Sequence, residues 1–529
     1  MIDDPWLSTT DQLRSTAERE GERAFLTVSG TTFSFGDAWD CVESVARGLR
    51  CLGLQQGDRV ALLSENRSEA VWSWLGTLAA GGVDVPLNVE ARGGLLAYYM
   101  TDSRPRVIIG TRELLERLDA DEIPPLTAAV LLEDTVSQPL GEGPRYLTFA
   151  ELLRLGREST DTELANPGLG DHASIVYTSG TTGPSKGVMW PQGFYPATAL
   201  VYIQWGGLAR DLSIYCVQPL YHLDSRAAVL TALYTGGRVT LGLRFSARGF
   251  WDEIEQAEAN AFVFIGTMLH LLDKQPDTER PPGSRILTGM GSATPESIHE
   301  SFEQRFAVRL LEGYAMTESP SITLQQGDRP TPGTVGTESP LVEAAILDEW
   351  DRPVPDGQAG IMCVRPRRAH SMMMGYWDKP EATVEAFANL WFHTGDVMRR
   401  RSDGEYEYIG RQKDSIRRRG ENVSAWEVEE TALRHPQVVE AAAIGVPSAV
   451  GDEDVALLVV GHPQGAPAAA DLVAAMAEDL PRYALPRYVE FVESLPKTPS
   501  ERIAKGEVRA RGLTAAAVDL QPDQPRWKP

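Results

Sequence analysis

Positive charge is in short supply in this chain. It has 50 Lys and Arg against 74 Asp and Glu, a formal net charge of −24. Such a field repels polyanions, so neither nucleic acid nor an anionic membrane is an expected partner, and any bound nucleotide must rely on local positive groups. Cysteine is nearly absent: Cys41, Cys51, Cys216 and Cys363 show neither metal-ligand nor paired spacing. That excludes a zinc knuckle or disulfide scaffold and is expected of reduced thiols in a cytoplasm. No run of about 18 apolar residues occurs, and the start Met-Ile-Asp-Asp-Pro-Trp6 has no basic-then-apolar leader. Neither membrane spanning nor secretion is expected. There is also no internal repeat.

What is present is a globular composition, 42% apolar over 529 residues, too long for one compact core and sufficient for two to four units. Strand-like Arg59–Ser64, Val83–Leu87 and Arg106–Gly110 alternate with helix-like Ser68–Ala80, the signature of βαβ units in a layered α/β body. The polar stretch from Asp134 to Gly170 reads as a surface excursion. Beyond it come strand Arg238–Leu241, helix Phe250–Asn260 and strand Ala261–Ile265, with a helix start predicted at Thr294-Pro-Glu296 from a hydroxyl cap and a first-turn proline. After Gly336 the composition shifts to short strands at Ala344–Leu347, Gly360–Val364 and Tyr406–Ile409, a β-rich subdomain closing the large body. Ser424-Ala-Trp-Glu427 has the spacing of a capping box, and its helix should stop before Pro436. Strands Val438–Val446 and Asp454–Val460 and a helix from Asp471 then form a small α/β unit. Gln521–Pro529 reads as a loose tail.

One segment carries chemistry on its face. Tyr177-Thr-Ser-Gly-Thr-Thr-Gly-Pro-Ser-Lys-Gly187 follows the buried strand Ala173–Tyr177 and joins hydroxyls, glycines and one lysine. Glycines let main-chain N–H groups approach an anion closely, and Lys186 can neutralise it. The spacing is not that of a Walker loop: a second glycine is needed five residues after Gly180, and Ser185 stands there. An ordinary ATPase or GTPase is therefore excluded, and a mere linker seldom follows a buried strand so closely.

Together with Pro219-Leu-Tyr-His222, Glu312-Gly-Tyr-Ala-Met-Thr-Glu318, Trp391-Phe-His-Thr-Gly-Asp396, Gly410-Arg-Gln-Lys-Asp414 and Leu495-Pro-Lys-Thr-Pro-Ser500, this run resembles the AMP-forming adenylate-forming superfamily, in that family's order along nearly the whole chain. Asp414-Ser-Ile-Arg-Arg-Arg-Gly-Glu-Asn422 is most similar to the crotonobetaine/carnitine-CoA ligase branch. The resemblance implies an N-terminal AMP-binding and substrate domain over 1–410, a hinge at 411–414 and a mobile α/β C-terminal domain over 415–529. It implies an ATP-dependent acid–thiol ligase that adenylates a small carboxylic acid and passes it to CoA, with Mg²⁺ as cofactor, a cytoplasmic setting, and room for a homodimer.

By the same resemblance Thr178, Ser179, Gly180, Thr181, Thr182, Gly183 and Lys186 hold the outer phosphates, and Thr178 and Glu318 serve the metal, with Thr317 beside the α-phosphate. Adenine lies along the loop Gly289-Met-Gly-Ser-Ala293 and against the ring of Tyr314, with Gly291, Ser292, Ala293, Glu312, Gly313, Tyr314, Ala315 and Met316 as cofactor-binding residues. Ala315 stands where glycine is usual, which predicts a more crowded backbone. Asp396 and Arg411 take the ribose. His222 borders the carboxylate pocket, which Tyr221 and Trp205 also shape. Lys413 serves the hinge, Gly420 lines the acceptor tunnel, and Arg417 to Arg419 meet CoA phosphates. The family's C-terminal adenylation lysine is replaced: after Pro496-Lys-Thr-Pro-Ser comes Glu501-Arg502. Arg502 keeps a positive charge in a different shape, and Lys505 stands three residues on. The substitution leaves two other readings open: an adenylating enzyme with another oxyanion or acceptor, such as a nitrite-activating diazotase, and a nucleotide-binding homologue without turnover.

Overall fold

The computed structural model describes residues 6–118, 124–133, 144–160, 164–178, 185–208, 211–275, 280, 285–327, 330–418, 421–448, 453–477, 479–480, 482–498 and 502–521. The chain divides into two compact units: residues 1–178, 186–344 and 365–387 form the first, and 179–185, 345–364 and 388–529 the second.

Two large sheets build the first unit. One runs in the order Gly375–Tyr376, Gly187–Pro191, His172–Tyr177, Val83–Pro86, Arg59–Leu63, Val107–Gly110, Ala128–Leu131, Arg145–Thr148. The inner strands of this sheet pair in parallel, and Val83–Pro86, Val107–Gly110 and Ala128–Leu131 are buried throughout. This is why they read as continuous apolar runs and not as alternating ones. The other sheet runs Thr337–Glu338, Ser319–Leu324, Val308–Met316, Leu287–Ser292, Ala261–Ile265, Ser213–Cys216, Arg238–Leu241, Ala24–Val28, Thr31–Ser34. Helix Leu223–Thr235 is buried along its whole length from Ser225 onward, as its Ala, Val and Leu content on every face requires.

Two expectations need correction here. Within the stretch 134–170, Arg145–Thr148 adds a parallel edge strand beside Ala128–Leu131 and helix Phe149–Glu158 follows it, so this part belongs to the body. That helix crosses helix Phe35–Cys51 so closely that a Cβ on Gly156 would lie 1.9 Å from the Ser44 carbonyl oxygen. At Thr294 the hydroxyl does not cap a helix: a 3₁₀ turn Glu296–Ile298 precedes helix His299–Phe306, and Thr294 instead gives its backbone N–H to Glu312.

The second unit contains most of a four-stranded sheet, in the order Val342–Leu347, Ala359–Pro366, Phe392–Arg400, Tyr406–Arg411, whose first strand carries the chain over from the first unit. A 3₁₀ turn Gln412–Asp414 and the hairpin Ser415–Arg418/Glu421–Ser424 follow. Next comes a four-stranded sheet in the order Val438–Pro447, Glu453–Gly461, Tyr488–Phe491, Val518–Asp519. Val428, Ala441, Leu457, Leu472 and Val489 form the centre of its core. Helix Ala425–Leu433 has half of the predicted box: Ser424 Oγ accepts the Glu427 N–H at 3.2 Å, while the hydroxyl itself donates to the Ile409 carbonyl. The expected tail lies outside the described residues beyond Gln521. Among the described residues no helix is long and apolar enough to cross a membrane.

Candidate active site

In the first unit a β-hairpin flanks the signature loop in sequence. Strands His172–Tyr177 and Gly187–Pro191 pair antiparallel with Tyr177 opposite Gly187. Just beyond that pair, the Thr178 N–H donates to the Lys186 carbonyl at 3.0 Å and the Lys186 N–H to Thr178 Oγ1 at 3.3 Å. Thr178 thus pins the base of the loop. Ser179, Gly180, Thr181, Thr182 and Gly183 lie outside the described residues. The hairpin is anchored from below: the Tyr177 hydroxyl donates to Asp102 at 2.8 Å, and Lys379 pairs with the same carboxylate at 2.9 Å.

Lys186 and Glu318 meet through a residue that the motifs do not contain. The Lys186 ammonium sits 4.6 Å from the centroid of the Tyr376 ring, and the Tyr376 hydroxyl donates to Glu318 Oε1 at 2.9 Å. A ring face attracts the ammonium while its edge hydroxyl serves the acid. Burial, and then the Glu318 charge, raise the Tyr376 pKa, so its proton stays on the oxygen through the neutral range. Tyr376 is held by pairing opposite Val188 in the edge strand beside Gly187–Pro191, and its N–H donates to Thr383 Oγ1 at 2.9 Å. Glu318 is itself buried, at 6% exposure. Thr317, half-buried, gives its carbonyl to the Trp190 indole N–H at 2.7 Å.

The segment expected to receive adenine is shaped by Glu312. Strands Leu287–Ser292 and Val308–Met316 run parallel with Gly291 opposite Glu312. Both Glu312 carboxylate oxygens accept main-chain N–H groups, from Ala293 at 3.0 Å and Thr294 at 3.1 Å, which holds Ala293 at a φ of +60°. Glu312 is therefore a strut under the turn. Gly291 is needed for close approach, since a Cβ there would lie 2.1 Å from the Phe264 carbonyl oxygen. Ser292 and Tyr314 are half-buried and Ala293 exposed. Met316 is also half-buried, its sulfur 3.9 Å from the Tyr314 hydroxyl. Ala315 sits at a register shift in the strand pair and is exposed.

His222 occupies the residue before helix Leu223–Thr235, half-buried, its ring 4.4 Å from that of Tyr221. Asn66, another residue the motifs did not single out, fixes this turn. Its amide donates to the carbonyls of Gln218 and Gly242 and its oxygen accepts the Leu220 N–H, each at 2.9 Å. Trp205 ends helix Phe194–Gly206 and is buried against Tyr202, with ring centroids 5.2 Å apart.

In the second unit Asp396 and Arg411 are cross-strand partners of the hairpin Phe392–Arg400/Tyr406–Arg411, with Arg411 Nε 3.1 Å from Asp396 Oδ1. The spacing of fifteen between them is thus the length of one hairpin. Gly395, at φ +74°, and the Thr394 hydroxyl, which accepts the Asp396 N–H at 3.1 Å, turn the buried carboxylate into place. Beside them stands Tyr408, a third residue missed by the motifs. Burial and the Asp396 charge raise its pKa, and Arg411 and Arg502 oppose the shift. Arg502 is exposed, and its N–H donates to Thr498 Oγ1 at 3.2 Å. Arg502, Arg411, Asp396 and Asp414 therefore all act electrostatically on Tyr408, within one unit.

Lys505 is not part of that group. Its ammonium lies 2.8 Å from Glu429 and 4.0 Å from Asp414; burial pushes the Glu429 carboxyl up to about 7, with Lys505 pulling the other way. Asp414, in the turn that holds Lys413, also pairs with Arg509 at 2.6 Å. Arg418 departs from expectation as well: it is buried, 3.4 Å from Asp454, and donates to the Tyr483 and Leu485 carbonyls. It cannot reach a CoA phosphate without abandoning a buried carboxylate. Gly420 lies outside the described residues.

Comparison with known proteins gives the family. A family model described as AMP-binding enzyme matches residues 13–377, and one described as AMP-binding enzyme C-terminal domain matches 427–502. A crotonobetaine/carnitine–CoA ligase of Salmonella paratyphi B is 29% identical over 492 residues, 90% of this chain and 93% of that protein. A sulfoacetate–CoA ligase of Cupriavidus necator is 30% identical over 491 residues, 90% of this chain and 92% of that protein. In fold, the chain is similar to the crystal structure of the anthranilate CoA ligase AuaEII in complex with anthranoyl-AMP, at a TM-score of 0.87 and 24% identity over 96% of this chain and 98% of that one. The chain belongs to the AMP-binding enzyme family and is an AMP-forming ligase of the acyl-CoA synthetase type.

Proposed function

We propose that the protein activates a small carboxylic acid with ATP and transfers the acyl group to CoA in a cytoplasmic setting. One observation carries the reading: Lys186, at the end of the signature loop, and the buried Glu318 converge on Tyr376. In the first step an acid oxygen attacks the α-phosphate in line and pyrophosphate leaves, so the protein's work is positioning and charge neutralisation. Lys186 and the loop hold the outer phosphates, and Thr317 faces the α-phosphate. Glu318 would hold Mg²⁺, since a hard cation that keeps several waters and takes phosphate ligands needs few protein carboxylates, and the ion would neutralise charge on the leaving oxygens. Asp396 accepts the ribose hydroxyls, with Arg411 orienting it. Arg502 supplies the cation that the family's lysine otherwise brings. In the second step the CoA thiolate displaces AMP, already a good leaving group, after the domain 415–529 turns about the hinge 411–414.

Pyrophosphate release with a panel of acids, with and without CoA, tests this. Acid-dependent release followed by thioester formation is expected. Turnover only with nitrite and an aryl amine, or ATP binding without any release, would overturn it.

A further inference from the structure

One buried tyrosine stands between two opposite charges. The Lys186 ammonium lies over the ring face of Tyr376, 4.6 Å from the centroid, while the hydroxyl at the ring's far end donates to Glu318 Oε1 at 2.9 Å. Neither contact is an ion pair. Joined directly, ammonium and carboxylate would neutralise each other and spend the charge that each needs for a ligand. A ring face attracts the one and a hydroxyl orients the other, and neither cancels a unit charge. The backbone around Tyr376 is tied to both partners. The N–H groups of Met374 and Trp377 donate to the carbonyls of Met189 and Gly187 at 2.8 and 2.7 Å, fastening the segment along the strand that begins directly after Lys186. The Met373 N–H donates to the Glu318 carbonyl at 3.0 Å. Side chains alternate along an extended chain, and Trp377 serves a different neighbour: its indole N–H donates to the Asp102 carbonyl at 2.9 Å, and the Asp102 carboxylate accepts the Tyr177 hydroxyl and pairs with Lys379. The segment therefore grips both strands of the hairpin as well as Glu318.

We infer that Tyr376 is a positioning residue with two separable tasks: its hydroxyl sets Glu318 for Mg²⁺, and its ring sets Lys186 for the outer phosphates while keeping the two charges apart. This rests on the roles given to Glu318 and Lys186 in the function proposed above. Loss of the hydroxyl alone weakens the contribution of the metal. Loss of the ring also weakens the hold on the nucleotide without metal, because Lys186 is no longer kept from the carboxylate.

Calorimetric titration of the full chain with ATP, once in EDTA and once in Mg²⁺, reads the two tasks separately, the ratio of the two affinities being the contribution of the metal. In the wild-type protein Mg²⁺ should tighten binding. Tyr376→Phe, which keeps the ring, should cut that ratio by about tenfold and leave the affinity in EDTA unchanged. Tyr376→Leu, or Tyr376→Gln if the leucine variant does not fold, should weaken binding in EDTA by about fivefold. A merely structural tyrosine would instead lower the melting temperature of the free protein and leave the ratio alone. An unchanged or larger ratio in Tyr376→Phe, or a Tyr376→Phe protein that does not fold, overturns the task given to the hydroxyl. Wild-type affinity in EDTA for a variant without the ring, or failure of both such variants to fold, overturns the task given to the ring. Wild-type binding of ATP that ignores Mg²⁺ would overturn the function proposed above, and this inference with it.

Discussion

Glu318 in the first unit and Asp396 in the second are both buried carboxylates, at 6% and 2% exposure, yet the fold has matched them differently. Glu318 is met by a tyrosine hydroxyl and Asp396 by a guanidinium. A hydroxyl orients a carboxylate without cancelling its charge, which suits an acid that must attract a cation. A guanidinium keeps an acid ionised while balancing it, which suits one that accepts neutral hydroxyls. On the function proposed above, these two acids of similar burial would serve metal and sugar respectively.

The largest effect that sharpens this contrast is expected from Glu318→Gln. It should lower acid-dependent pyrophosphate exchange by about 10²–10³-fold and move the Mg²⁺ dependence to higher concentration. A loss without a change in Mg²⁺ dependence would break the contrast. Arg502→Ala should lose a comparable factor with unchanged thermal stability. Lys505→Ala should do the reverse, leaving exchange nearly intact while destabilising the protein by about 3 kcal/mol, since it strips a buried carboxylate of its partner. Thermal melts with exchange assays separate the two.

A smaller effect follows from Glu429. Its folded pKa of about 7 lies above the unfolded value of 4.5, so between those values the folded state binds more protons than the unfolded one. Stability contributed by the neutral carboxyl is present at low pH and is lost as pH rises through that window, by about 2 kcal/mol. Glu429→Gln should flatten this slope in melts recorded from pH 4.5 to 7; an unchanged slope would assign it to other groups. The smallest change is expected from Asp396→Asn: about a tenfold rise in KM for ATP with kcat largely kept. A loss as large as that of Glu318→Gln would erase the distinction between the two acids.

Much of the fold was legible in the chain because the signals are local. Strands Arg238–Leu241 and Ala261–Ile265 stand where their apolar runs predict. The hydroxyl and glycine pattern of the signature loop points to phosphate handling without any tertiary information. Thr294 misled because its backbone N–H, at the N-terminal end of a short 3₁₀ turn, found a carboxylate on the next strand. Arg418 misled because a basic run does not reveal which member turns inward, and Asp454, which draws it in, lies on another strand. Tyr376 and Asn66 were invisible for the same reason: each acts on a segment far away along the chain.

The residue order alone determined the chemical class, since hydroxyl, glycine, lysine and acid motifs in sequence encode phosphate handling through short-range sterics and charge. Tertiary structure decided how those charges are partnered. Arg502 lies exposed near the Asp396 hairpin while Lys505 and Arg418 are spent on buried acids, and Tyr376 joins Lys186 to Glu318. Such choices depend on which groups lose water together, and that is set by packing between segments distant in the chain.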